Sequence, residues 1–171
     1  MCCRTMPDQE FKIREATFAD VPALAHLHVV TFRETHGGPG PTDELRYGQW
    51  REVFATQDES SFCFVISNAV NELVGFTKGV PYTGDLPGFS GELNKIYLLR
   101  EYQRRGLGRR LMGHVANRFL SQNVDSMLLF GDAYSPSNAF YETMGGEKLF
   151  SAAGEFHGGY GWRDLHRLVE I

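Results

Sequence analysis

The stretch Gln103-Arg104-Arg105-Gly106-Leu107-Gly108-Arg109-Arg110 has the composition and spacing of an anion site. An apolar run, Ile96-Tyr97-Leu98-Leu99, leads into it, and Leu107, Leu111, Val115 and Phe119 follow four apart. That order reads as strand, short polar loop and helix with one packed stripe. The first N–H groups of such a helix lack partners and carry the positive end of its dipole. A phosphate or pyrophosphate is their natural occupant. Gly106 and Gly108, without side chains, let ligand oxygens approach the backbone. Four arginines add positive charge at the same spot. The nucleotide P-loop does not fit, because no Lys-Ser or Lys-Thr follows either glycine. The dinucleotide fingerprint does not fit either, because Leu111 stands at its third glycine position and the loop lies past the middle of the chain.

Several elements must position this loop. Phe11 to Arg14 alternate as a first strand, and Thr17 and Asp20 supply capping oxygens for a helix with Pro22 in its first turn. The run His36-Gly37-Gly38-Pro39-Gly40-Pro41 ends that helix, and a second covers residues 43–55. Residues 62–66 and 73–76 form two antiparallel strands across an Asn-containing turn. A Gly- and Pro-rich loop, 81–91, leads to a strand from Glu92 to Leu99. After the glycine loop and its helix, Met127-Leu128-Leu129-Phe130 reads as a short strand buried on both faces. A helix over 137–144 stops at Gly145-Gly146. Residues 147–152 and 160–168 make a final hairpin around Gly154 to Gly159. The result is one α/β domain, 11–171, a mixed sheet covered by helices, behind an N-terminal arm of residues 1–10.

The 171 residues suit one core, and 42% hydrophobic with 22% charged residues is ordinary globular composition. A net charge of −4 argues against nucleic acid as a partner. No apolar run reaches the ~18 residues of a membrane span, and no apolar segment follows Arg4 as in a secretory signal. Cys2, Cys3 and Cys63 contain no C-x-x-C pair, which points to a reducing, cytoplasmic setting. Cys63 lies in an apolar run and reads as a packed core residue. The six histidines show no metal-ligand spacing, so no metal is expected.

Further along, Ser137-Asn138-Ala139-Phe140-Tyr141-Glu142-Thr143-Met144-Gly145-Gly146 is a short helix with an Asn, a Phe-Tyr pair and terminal glycines. Gln103-x-x-Gly106-x-Gly108 after an apolar strand resembles motif A of the GNAT superfamily of N-acetyltransferases, and the 137–146 helix resembles its motif B. The order of elements is similar across residues 11–168. Arg104 departs from the pattern, standing where many members carry Gly.

The resemblance implies a GNAT-like fold, a mostly antiparallel sheet of six to seven strands flanked by about four helices. It implies acetyl-CoA as co-substrate and no metal, with a small-molecule or peptide amine as acceptor and possible homodimers. The pantetheine arm would lie along the backbone of Ile96, Tyr97 and Leu98, much as an added strand would. The pyrophosphate would sit on the amides of Gln103, Arg104, Arg105, Gly106, Leu107, Gly108 and Arg109, and Asn138 would touch the sulfur end. A backbone N–H near Tyr97 or Leu98 would bind the oxyanion. Tyr141 shares a helical face with Asn138 and is the expected general acid for the thiolate. Glu92, which opens the strand, is the candidate proton acceptor for the amine. The acceptor would meet Trp50, Tyr82, Asp85, Phe89, Glu155, Phe156, His157 and Tyr160. The alternative is a regulatory module that binds acyl-CoA without turnover.

Overall fold

The computed structural model of the protein describes residues 10–169. Cys2, Cys3 and all but Glu10 of the expected N-terminal arm lie outside that span. The chain runs β1 (Lys12–Glu15), a 3₁₀ turn (Phe18–Asp20), α1 (Val21–His36), α2 (Asp43–Thr56), β2 (Phe62–Ser67) and β3 (Leu73–Pro81). It continues with β4 (Gly91–Leu98), α3 (Leu107–Ser121), β5 (Met127–Leu129), α4 (Asn138–Thr143), β6 (Glu147–Phe150), β7 (Phe156–Trp162) and α5 (His166–Val169). Seven strands form one sheet in the order β1-β2-β3-β4-β5-β7-β6, antiparallel except where β4 meets β5. Sequence patterning and structure therefore agree on a mixed α/β fold.

The elements form where their residues direct them. The Asp20 carboxylate accepts the Thr17 N–H at 2.8 Å, which fixes the entry into α1. Thr42 caps α2 by accepting the Leu45 N–H at 3.2 Å, as an N-cap hydroxyl does. The Asn68 side chain accepts the Val70 and Glu72 N–H groups and closes the β2–β3 turn. In α3 the stripe Leu107, Leu111, Val115 and Phe119 is buried, with Met112 and Ala116 beside it. On one face of the sheet Val115 and Phe119 pack with Phe62, Leu93 and Met127, and Leu107 and Leu111 with Phe11, Ile66 and Val74. On the other face α1 and α2 lay Leu24, Leu27 and Trp50 over Val65 and Phe76.

Three expectations are corrected. The hairpin loop is shorter and its second strand lies earlier: β6 ends at Phe150, β7 runs from Phe156 to Trp162 rather than from 160 to 168, and α5 replaces the end of the expected strand. Asp164 turns the chain by accepting the His166 N–H at 3.1 Å, and Leu165 and Leu168, one helical turn apart, are both buried. Phe130 is not buried on both faces but 60% exposed, because β5 ends at Leu129. β3 extends to Pro81, since Gly79 leaves space for the Phe62 ring and pairing with β4 continues to Gly91.

His28, in the middle of α1, is buried, and its Nδ1 accepts the Trp50 indole N–H at 3.1 Å. Indole can only donate, so that nitrogen holds no proton and the ring is neutral. Burial, then the charges of Arg46 and Lys95, push its pKa down to about 3. The unfolded chain therefore binds the extra proton between pH ~6.5 and about 3, and stability falls as pH drops through that window. His28→Gln keeps an acceptor and removes the titration. Denaturant unfolding at pH 7 and pH 5 is expected to show a pH-dependent loss about 2 kcal/mol smaller in the variant. An equal loss in both proteins rules His28 out as the source.

Candidate active site

β4 pairs with β5 at only two positions, Gly91 with Met127 and Glu92 with Leu128. Beyond them the strands part. The cause lies on the opposite edge of β4: Lys95 faces Lys78 but Leu93 faces Gly79, which leaves Asn94 as the extra residue of a β-bulge. A bulge bends its strand. From Leu93 to Leu98 the β5 side of β4 opens on a cavity of about 320 Å³, closed across the gap by Leu129 to Asp132 and by α4.

Alternation along β4 sorts its backbone groups. The Lys95 carbonyl accepts the Thr77 hydroxyl and the Leu99 N–H donates to Val74 O, so the odd-numbered residues face β3. Ile96 and Leu98 therefore present N–H and C=O to the gap, and the Leu98 carbonyl accepts Gln103 Nε2 at 3.1 Å. Of the two amides expected to bind an oxyanion, Leu98 faces the gap and Tyr97 faces β3. The Tyr97 ring stacks on Phe76 at 5.5 Å between centroids, and its hydroxyl meets His36 Nε2 at 3.4 Å.

Beyond β4 the glycine loop turns back onto α3. Gly106 takes φ +79° as the N-cap, and helical bonding begins with Arg110 N–H to Gly106 O at 3.2 Å. The amides of Leu107, Gly108 and Arg109 thus precede the helix ladder and are free to bind an anion. The two glycines differ. A Cβ on Gly106 would meet nothing within 4 Å, whereas one on Gly108 would lie 3.0 Å from Phe140 Cζ. Gly108 is small so that α3 can pack on α4, a role that spacing alone does not reveal. The arginines also separate: Arg105 lies over the Tyr102 ring at 5.3 Å, Arg110 donates to Phe11 O at 3.2 Å, and Arg104 and Arg109 are exposed.

Arg104 occupies the left-handed region, φ +62°. That conformation costs an L-residue roughly 1 kcal/mol, which explains why glycine suits this position. Arg104→Gly is expected to raise Tm by a few degrees and change acetyl-CoA affinity less than about threefold, since an exposed charge is screened. A lower Tm in thermal unfolding refutes the strain.

From α4, Asn138 and Tyr141 line the same cavity, as their i, i+3 spacing requires. Asn138 Nδ2 donates to Asp132 O and Ala133 O at 3.0 and 3.1 Å, which holds the wall opposite β4. Its Oδ1 is buried with no partner. A buried acceptor left bare is costly, and an N–H of a bound ligand would relieve it. Phe140 turns away onto Gly108 and the core. The Tyr141 ring rests near Tyr160, 5.5 Å away, and Trp162. Burial, with a smaller contribution from Tyr97, pushes the Tyr141 hydroxyl up to about 12.

Glu92 is not brought to the gap. It sits at the closed end, accepts Asn94 Nδ2 at 3.3 Å and belongs to the α1/α2 face of the sheet, with Lys78 and Lys95. The residues expected to meet an acceptor also scatter. Trp50 and Tyr160 are core, Phe89 is buried, and His157 pairs with Glu155 on the surface. Tyr82 lies 6.2 Å from Phe130 at the rim, outside the cavity lining. The side chains that do line it include Thr35 and His36, from the end of α1. In the sequence, His36 reads only as part of a helix stop. Cys63 is buried, and burial pushes its thiol up to about 12, which leaves it inert.

A sheet opened between two parallel strands, followed by a helix start with unpaired amides, is the architecture of an acyltransferase-type domain. The chain belongs to the Acetyltransferase (GNAT) family, which it matches over residues 21–145. It is 30% identical over 168 residues to YuaI, an uncharacterized N-acetyltransferase of Bacillus subtilis strain 168, with 93% of this chain and 96% of that one covered. Its class is accordingly that of the N-acetyltransferases. The fold is similar to the PaiA N-acetyltransferase of Thermoplasma acidophilum in complex with coenzyme A (TM-score 0.66, 16% identity, 90% of this chain and 98% of that one). It is also similar to a GNAT acetyltransferase of Staphylococcus aureus Mu50 (TM-score 0.71, 15% identity, 91% and 99%). No helix among the described residues is long and apolar enough to cross a membrane.

Proposed function

We propose that this protein transfers the acetyl group of acetyl-CoA to an amine of a small molecule or peptide, by direct attack with both substrates bound. The observation that carries this reading is the cavity where β4 leaves β5. It joins strand-like backbone groups, Asn138 with its bare Oδ1, and Tyr141, and Gln103 on its lining leads along the chain to the open amides at the start of α3. These residues fit acetyl-CoA, and the solved PaiA structure holds coenzyme A on a similar fold. The bound thioester supplies the activated acyl carbon.

The chain's own groups divide the remaining work. The backbone of Ile96 and Leu98 extends the donor along β4, and the amides of residues 107–109 hold its pyrophosphate. The Leu98 N–H faces the gap and is the donor for the carbonyl oxygen. Tyr141 protonates the departing sulfur. Glu92, behind the bulge, accepts the amine proton through water, since a primary amine with a pKa near ~10 is mostly protonated at neutral pH. Glu92→Gln is expected to lower kcat/KM at neutral pH by about 10²-fold or more with acetyl-CoA affinity preserved, and an unchanged kcat/KM removes Glu92 from the mechanism.

The decisive experiment is a CoA-release assay on purified protein with a panel of amines, run beside calorimetry for acetyl-CoA. Turnover with a saturable amine supports transfer. Tight acetyl-CoA binding without release for any amine identifies a binding module instead.

A further inference from the structure

Three cations share the α1/α2 face of the sheet beside the bulge. Lys78 and Lys95 are cross-strand partners, directly opposite one another on β3 and β4. They continue a row that begins at Cys63, one step from the packed row Val65, Phe76 and Tyr97. Like charges directly opposed in a sheet destabilise it. From α2, Arg46 lies over the Phe32 ring at 5.3 Å, close enough to Lys95, Tyr97 and His28 to bias the titration of each.

All three are partly buried, and none has a carboxylate within 4 Å among the described residues. Arg46 Nε is buried with no hydrogen-bond partner, although Nη1 reaches Gln49 Oε1 at 3.0 Å. Lys95 Nζ donates to Asn94 Oδ1 at 3.1 Å. The fold treats Arg14 and Arg118 differently, giving each a carboxylate at 2.7 Å. Glu92 is the acid that acts on both lysines. Burial lowers the lysine pKa values, and for Lys95 the charges of Lys78 and Arg46 add to the effect. In a chain of net charge −4, this concentration of unpaired positive charge needs a counterion.

We propose that the acceptor is an amino acid or a related amino-carboxylate, its acid group held by Arg46, Lys78 and Lys95 while its amine reaches the bulge of β4. The inference rests on the acetyl-transfer reading above. The free carboxylate completes the cluster and relieves the opposed lysines. Glu92, on the same face, prefers the amine end to the acid end, which orients the acceptor.

The test compares L-amino acids, β-alanine and 4-aminobutyrate with their carboxamides, as kcat/KM in the CoA-release assay. The best acid is expected to exceed its amide by about tenfold or more. Arg46→Met and Lys78→Met keep the aliphatic stems and delete the charges, so the acid-to-amide ratio is expected to fall towards one. Acetyl-CoA affinity by calorimetry should stay within about threefold, and Tm should hold or rise as repulsion is removed. Amides used as well as acids, or a preference that survives in both variants, overturns the proposal. If no acceptor turns over, the same acids and amides are titrated into protein saturated with acetyl-CoA. Binding of an acid but not its amide, lost in Arg46→Met, supports the anion site even though transfer has failed. Binding of neither refutes it.

Discussion

Tyr141→Phe is expected to lower kcat by about 10²–10⁴-fold, the range for a positioned general acid, while acetyl-CoA affinity stays within about threefold. The substitution keeps the ring against Tyr160 and Trp162 and deletes only the hydroxyl. Burial lifts Tyr141 to about 12, so it holds its proton throughout the neutral range. That value is high for an acid serving a thiolate of pKa ~8.5 in water, but burial acts on sulfur as well. In this same protein the buried Cys63 thiol is lifted from 9.0 to about 12. A sulfur departing into the desolvated cavity gains basicity alongside the phenol, and the transfer becomes nearly even. A kcat within about threefold of wild type, with single-turnover kinetics showing chemistry to be rate-limiting, means that the sulfur leaves unaided.

Gly106→Val carries the second large effect, a loss of acetyl-CoA affinity of about a hundredfold or more. Gly106 sits at φ +79°. A β-branched residue in that region is a conformational outlier, so the loop must move. Losing two amide bonds to a charged oxygen, at ~1.5–3 kcal/mol each, accounts for that factor. The open space around a Gly106 Cβ means the variant still folds. Gly108 is the contrast. A Cβ there presses on Phe140, so Gly108→Ala is expected to destabilise by about 1–3 kcal/mol through overpacking. Phe140→Leu should restore much of that stability. Calorimetry showing wild-type affinity in Gly106→Val removes the loop from the pyrophosphate site, whatever the behaviour at position 108.

Much of the frame was legible from local pattern. The stripe Leu107, Leu111, Val115 and Phe119 states its own helix, and the i, i+3 pair Asn138 and Tyr141 points one way once that helix forms. Gly145, at φ +84°, ends α4 as its position after the periodic residues requires. The loop from Gln103 to Gly108 announces an anion site because a glycine-rich helix start is a chemical statement in itself. Each of these depends on residues within a turn or two of one another, and short-range sterics and hydrogen bonding decide them.

Other features depended on pairings that no local pattern encodes. The bulge at Asn94 shifts the register of β4, so that Lys95 opposes Lys78 while Leu93 opposes Gly79, and pairing with β5 stops at Glu92. Without that shift, Glu92 reads as a residue at the mouth of the site rather than behind it. His36 lines the cavity only because α1 ends beside Tyr97, sixty-one positions along the chain. Along the chain Gly108 reads as a glycine kept small for a phosphate alone, and the packing of Phe140 against it adds a second reason for the missing side chain. Most elements, the glycine-rich helix start and the family resemblance were therefore legible along the chain, since all rest on interactions between near neighbours. Which charges meet, which amides face the gap and which aromatic rings are core emerge once the chain is packed, because strand register and helix docking are set by the packing of the whole sheet.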